Sequence, residues 1–201
     1  AVVGARPVTL TAQAVRRLMH YGQIVQSHAL HFFHLASPDL LFGFDSDVTR
    51  RNIVGVAAAH PEVARQGVLI RRFGQEVIRV TAGKRVHGTG SVPGGVNKVV
   101  SRAERDELAA ECDRILPWCE AAVELARSMH LQAPALYDGF GTVASKSMSL
   151  VAPDGAMDLY DGVLRVRDAD GTILHDGVPG ESYLDLIEEE VRPWSYMKFP
   201  Y

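Results

Sequence analysis

The chain has 201 residues, 47% of them hydrophobic and 22% charged, with a net charge of -3. That is enough to bury roughly 70% of the unfolded surface in one or two domains, and bases scattered among acids leave no footprint for nucleic acid. No apolar run reaches the roughly eighteen residues that cross a bilayer, which excludes a membrane helix. Ala1–Pro7 is too short and breaks too early for a secretory signal. The two cysteines, Cys112 and Cys119, are too few for a disulfide scaffold, so the reading is cytoplasmic. The first residue is not methionine and the last four are Lys198-Phe199-Pro200-Tyr201, which reads as a piece of something longer.

The first predicted element is a histidine-bearing helix over 9–36, started by the hydroxyls of Thr9 and Thr11 and ended by Ser37-Pro38-Asp39. Leu10, Ala14, Leu18, Val25, Ala29 and Phe32 recur near helical period and form the expected apolar stripe. A second stripe is polar: Arg16, His20, Gln23, Ser27, His31 and His34 follow one another in steps of three and four, so they share a face. A polar seam on so apolar a helix is either a buried hydrogen-bonding seam or one wall of a site that needs proton-carrying groups. Asp45-Ser46-Asp47 is expected to cap a short helix through Arg50, Ile53, Val54 and Ala57.

His60-Pro61 opens the next helix, with Val63, Gly67, Ile70, Gly74, Val77 and Ile78 on its apolar side and a stop at Ala82-Gly83. Gly67 and Gly74 lie seven apart on that face, which points to close approach of a neighbouring helix. Lys84–Asn97 is predicted as a Gly-rich loop without regular structure. Ser101-Arg102-Ala103-Glu104 is a capping box, and the helix it opens runs to His130 through Leu108, Cys112, Ile115, Cys119, Val123, Ala126 and Met129, kinked or split at Pro117.

From Pro134 short strand candidates follow at Lys146–Val151, Met157–Tyr160, Val163–Arg167 and Thr172–Leu174, separated by Asp-Gly turns. An acidic helix over Ser182–Val191 and an aromatic tail from Trp194 to Tyr201 close the chain. The fold class is therefore mainly α with a small antiparallel β meander (α+β). Its organisation is a helical part over 1–133 and a small meander part over 134–201.

The chemistry readable from spacing is limited. His28, His31 and His34 fan out over about 120° on a straight helix and cannot converge on one ion. Cys112 and Cys119 are about 10.5 Å apart in helix rise, so they read as buried thiols rather than a chelating pair. The loop Gly88–Gly95 lacks the order of a phosphate-binding loop, and Pro93 removes an amide that such a loop needs. No serine, histidine and acid set stands out.

Two stretches, taken as written, resemble one family. Leu18-Met19-His20-Tyr21-Gly22-Gln23-Ile24-Val25-Gln26-Ser27-His28-Ala29-Leu30-His31-Phe32-Phe33-His34-Leu35 with Pro38-Asp39-Leu40 is similar to the helix after the first cysteine pair of nickel-iron hydrogenase large subunits. Phe73–Ile78 through Gly83-Lys84-Arg85-Val86-His87-Gly88 to Pro93-Gly94-Gly95-Val96-Asn97 resembles that family's histidine loop, and the tail Trp194–Tyr201 is similar as well. The wording is most similar to the cytoplasmic, bidirectional NAD(P)-linked type.

The resemblance implies the long-helix core of a catalytic subunit that oxidises dihydrogen reversibly. Its nickel-iron centre carries cyanide and carbonyl ligands and is held by four cysteine thiolates. It implies an iron–sulfur small subunit and flavin-bearing, NAD(P)-reducing diaphorase subunits as partners. Both ligand cysteine pairs lie outside these residues, so no metal is expected on this segment alone and no activity from it. Ser27, where many members carry an aspartate, with His28 and His31, is implied in the outer shell or proton path. His87 is implied to face the small subunit's proximal cluster, with Gly94, Gly95 and Asn97 in the loop near the site. The alternative is a metal-free scaffold or electron-transfer subunit similar to the hydrogenase-like subunit of respiratory complex I.

Overall fold

The computed structural model describes residues 8–196 and the backbone of 198–200. The residues read above for a secretory signal, and Met197 and Tyr201 of the aromatic tail, lie outside the described residues. Contacts part the chain into two units between Asp138 and Gly139, with the expected boundary at 133/134 just before the last helix of the first unit.

The helical unit is built on two long helices, α1 (Leu10–Leu30) and α4 (Pro61–Ala82). Thr9 caps α1 by accepting the Ala12 amide at 3.2 Å. The expected apolar stripe is wrong in its first half: Leu10 is 84% exposed and Leu18 40%. Ala12 and Gly22 are buried there instead, because the partner helix takes small residues at the crossing, while Ala29 is buried as expected and Phe33 follows it in the π segment. A Cβ on Gly22 would stand 2.5 Å from Val77 Cγ1, one on Gly74 2.6 Å from the Gln26 amide nitrogen, and one on Gly67 2.4 Å from Phe33. Gly74 therefore marks a helix crossing at backbone distance, while Gly67 makes room for the Phe33 side chain, so both glycines admit a close neighbour as their spacing predicts.

The helix does not stop at Ser37. It widens into a π segment over His31–Ala36 and continues as α2 (Ser37–Phe42). Pro38 is tolerated there because it sits in the first turn of α2. The buried Ser37 hydroxyl donates to the Phe33 carbonyl at 2.7 Å, inside the widened turn. Asn52, rather than Asp45–Asp47, caps α3 (Ile53–Ala59), accepting the Val54 and Gly55 amides at 3.0 Å each. Asp47 instead accepts from the Thr49 amide and hydroxyl at 2.9 Å, closing the preceding turn. Helix α4 starts on Pro61 and ends at Gly83, whose φ of +85° is the left-handed stop.

The loop after α4 is not wholly irregular. Two two-residue strands, β1 (Ser91–Val92) and β2 (Gly95–Val96), pair antiparallel around Pro93-Gly94, where Gly94 at φ +84° supplies the left-handed position of a type II turn. Helix α5 (Arg102–Gln132) opens on a complete capping box and runs through Pro117 without splitting, which leaves the kink as the form the expected disturbance can take. Leu108 and Ile115 are its buried residues. Arg65 and Arg114 stack on Trp118 at 5.4 and 5.8 Å, tying α5 to α4. The short α6 (Pro134–Gly139) follows.

The second unit holds a three-stranded antiparallel sheet, β3 (Ser147–Val151), β4 (Val163–Arg167) and β5 (Ile173–Val178), in the order β3-β4-β5. This is the predicted meander. Met157–Tyr160 contributes only a single bridge, Met157 to Val151. The predicted acidic helix is absent: Gly180–Asp185 forms a 3₁₀ turn, and β6 (Glu189–Val191) pairs with β7 (Lys198–Pro200). Asp185 stands three and four residues before Glu188 and Glu189, so a helix would set these like charges side by side on one face.

Candidate functional site

The polar stripe of α1 divides into three parts. Arg16 turns to the Gly-rich loop, donating through Nη2 to the Val92 and Gly95 carbonyls at 2.7 Å each and through Nε to Gly95 at 3.1 Å. His20 and Gln23 face a cleft of about 610 Å³, walled on the α4 side by Arg71 and Gln75 and closed by Arg85 and His87 of the loop. Ser27 and His31 of the stripe, and His28 outside it, are exposed and line no part of that cleft. Their face is the one that packing against α4 leaves outward.

His28 and His34 are bonded within their own helical segment rather than to one another. His28 places Nδ1 3.0 Å from the Ile24 carbonyl, within the helix. His34, half-buried, places Nδ1 3.4 Å from the Ala29 carbonyl, five residues back. The π segment begins at His31, and such segments occur disproportionately where function needs a helix re-aimed. Among the described residues, no three His, Cys, Asp or Glu side chains gather in a way that could hold a metal ion.

His87 is exposed and has φ +52°, the one described non-glycine residue in the left-handed region. That conformation costs of order 1 kcal/mol and persists where the surroundings impose it. They do so here: a Cβ on Gly88 would meet Ala82 at 2.5 Å, and Gly90, buried, lies against Met19, Ala82 and the Thr81 carbonyl. Asn97 closes the loop, donating Nδ2 to the Thr89 carbonyl at 2.5 Å and its amide to the Gly90 carbonyl at 3.0 Å. Gly94 and Gly95 have open space where a Cβ would stand.

Charge around the loop is paired. Glu76 is bonded to Arg79 and accepts from Arg85 at 2.7 Å; the Arg79 hydrogen bond holds its carboxyl below the usual range. Lys98 meets Glu104 at 2.8 Å, and with the Ser101 amide and hydroxyl it draws the Glu104 carboxyl down to about 2. Arg71 is different, since its Nε is buried without a hydrogen-bond partner. Arg71, Gln75 and Arg85 escaped the sequence reading. The usable signal for Arg71 and Gln75 was their place on α4 beside Gly74, at the helix crossing.

The cysteines depart from expectation. Cys112 is exposed, while Cys119 is half-buried and its thiol is pushed up by burial. The outward turn of α5 at Cys112 follows from the shallow contact that the helix makes, which buries only Leu108 and Ile115.

The chain is 41% identical over 200 residues to the NAD-reducing hydrogenase HoxS subunit beta of Cupriavidus necator, covering 96% of this chain and 41% of that one. It is 39% identical over 190 residues to one subunit of the F420-non-reducing hydrogenase vhu of Methanococcus voltae, covering 94% of this chain and 45% of the relative. Among solved structures, an NAD+-reducing [NiFe]-hydrogenase in the H2-reduced state superposes with a TM-score of 0.91 at 54% identity over 99% of this chain and 44% of that one. A [NiFeSe]-hydrogenase of Dm. baculatum shares the fold alone, at 21% identity and a TM-score of 0.66. No protein-family model matches the chain. It spans about two fifths of the length of the curated relatives it matches.

Proposed function

We propose that this chain, a homologue of nickel-iron hydrogenase large subunits over nearly its whole length, forms the central segment of the catalytic subunit of a cytoplasmic hydrogenase. The complete enzyme oxidises dihydrogen reversibly and passes electrons through small-subunit iron–sulfur clusters and flavin to NAD(P). The observation that carries the reading is the superposition on an NAD+-reducing [NiFe]-hydrogenase at 54% identity over 99% of the chain.

The donor set of the chain does not fit a four-thiolate nickel-iron centre with cyanide and carbonyl ligands. Its two cysteines stand seven positions apart on α5, one exposed and one half-buried, and metal thiolates must converge on one point. The ligands belong elsewhere in the complete subunit, and the segment alone is inactive. What it supplies is a wall. Packing against α4 holds α1 rigid, so Ser27, His28 and His31 present a hydroxyl and two imidazoles on a backbone that does not yield. Imidazoles and hydroxyls are groups through which a proton can be relayed. His87, held in a strained conformation at the loop's edge, is the group turned to the small subunit's cluster, where an imidazole N–H tunes a potential by hydrogen bonding.

The parent gene tests this directly. A cysteine pair on each side of the segment is the expected result. Flanks without them would place the chain with the metal-free, complex I-like scaffolds, a reading that the cysteine count of this segment also favours.

A further inference from the structure

The Pro93-Gly94-Gly95 turn has little to hold it in place by itself. Its ladder is two residues long on each side, and a hairpin of that size is not stable in water alone. Most of Lys84–Asn97 is exposed. The inner half of the loop is pinned on the end of α4 through Gly88 and Gly90. The outer half, which carries Gly94 and Gly95, is hydrogen-bonded to α1 through the long side chain of Arg16.

We propose that Arg16 is the positioning residue of the Gly-rich loop, latching the Val92–Gly95 turn to α1 through two backbone carbonyls. The acceptors are neutral, so what matters is shape more than charge. Nε and Nη2 close on the Gly95 carbonyl at 3.1 and 2.7 Å while Nη2 also reaches Val92 at 2.7 Å. A planar fork spans both carbonyls with little loss of freedom, and an ammonium does not. Asn97 lies two residues beyond Gly95 and closes the loop back to Thr89 and Gly90, so ordering the turn also orders the base on which His87 stands. The loop is thereby set before any partner meets it.

The consequence for turnover rests on the hydrogenase reading; the latch itself does not. The test uses the complete subunit with its partners, comparing wild type with R16Q and R16K by amide hydrogen exchange and by H2-driven NAD(P)+ reduction. Loss of hydrogen bonds from a charged donor should speed exchange across Gly94–Asn97 at least about tenfold in both variants. The amides of α4 should keep their wild-type protection. The rate of turnover should fall while KM for the nucleotide stays unchanged, with no rescue in R16K. Unchanged exchange across Gly94–Asn97 in R16Q would overturn the latch, and wild-type protection in R16K would overturn the fork as its basis. Absence of H2-driven reduction in the wild type would count against the enzyme reading alone, because exchange still decides the latch.

Discussion

Helices α1 and α4 meet with almost nothing between their backbones, whereas α5, the longest helix of the chain at 31 residues, buries two side chains. The α1–α4 pair interlocks through Gly22 and Gly74, with Gly67 making room for Phe33 of the π segment, and its position depends on the absence of side chains. Helix α5 is seated through Leu108 against Val77 and Val80 and Ile115 beside Phe33 and Ile70, with the Arg65–Trp118–Arg114 stack at its edge. The difference teaches where precision is kept. The helix that carries Ser27, His28 and His31 belongs to the unyielding pair, while the helix with both cysteines is loosely held.

Substitution at the crossing breaks this comparison most sharply. G74A places a methyl 2.6 Å from a backbone nitrogen that cannot swing aside, and should cost about 3 kcal/mol or more in chemical denaturation. V123A, on a residue of α5 that is 69% exposed, should stay within about 0.5 kcal/mol. Equal costs would show that the crossing is not the rigid element.

Pro117 sharpens the contrast from the other side. It removes an interior amide from α5 while the helix continues, so P117A should raise stability by roughly 1 to 3 kcal/mol. An unchanged denaturation midpoint would mean that the proline carries no strain.

The smallest effect lies at the start of α5. The Glu104 carboxyl titrates near 2 when folded, against an ordinary value of 4.5. A depressed folded pKa contributes stability that is complete above about 4.5 and is lost as pH falls toward 2. E104Q should flatten the pH dependence of stability in that window and leave its slope near neutrality unchanged. An unaltered acid limb in the variant would remove Glu104 from the cap.

Features set by local chemistry were readable from the sequence. The capping box at Ser101, the Pro61 start and Gly83 stop of α4, the strand Val163–Arg167 and the meander all follow from caps, turns and period. The glycine pair of α4 announced its neighbour. What escaped was decided by tertiary contact. The buried face of α1 is chosen by what Gly67 and Gly74 admit, so Leu10 and Leu18 were misassigned. The π segment at His31 is a register shift that no residue type marks. The Arg16 latch joins positions 79 residues apart. For the candidate site, the stripe of α1 was legible as a face, yet its division into latch, cleft wall and open surface depended on where the loop and α4 fall.

The central claim is that the outward face of α1, with His87 and its loop, serves a nickel-iron hydrogenase whose metal ligands lie elsewhere in the complete subunit. Metal analysis of that subunit, purified with its partners and assayed for H2-driven NAD(P)+ reduction, tests it most directly. The account predicts stoichiometric nickel together with reduction that depends on H2. A complete subunit that is folded and assembled yet holds no nickel would contradict it.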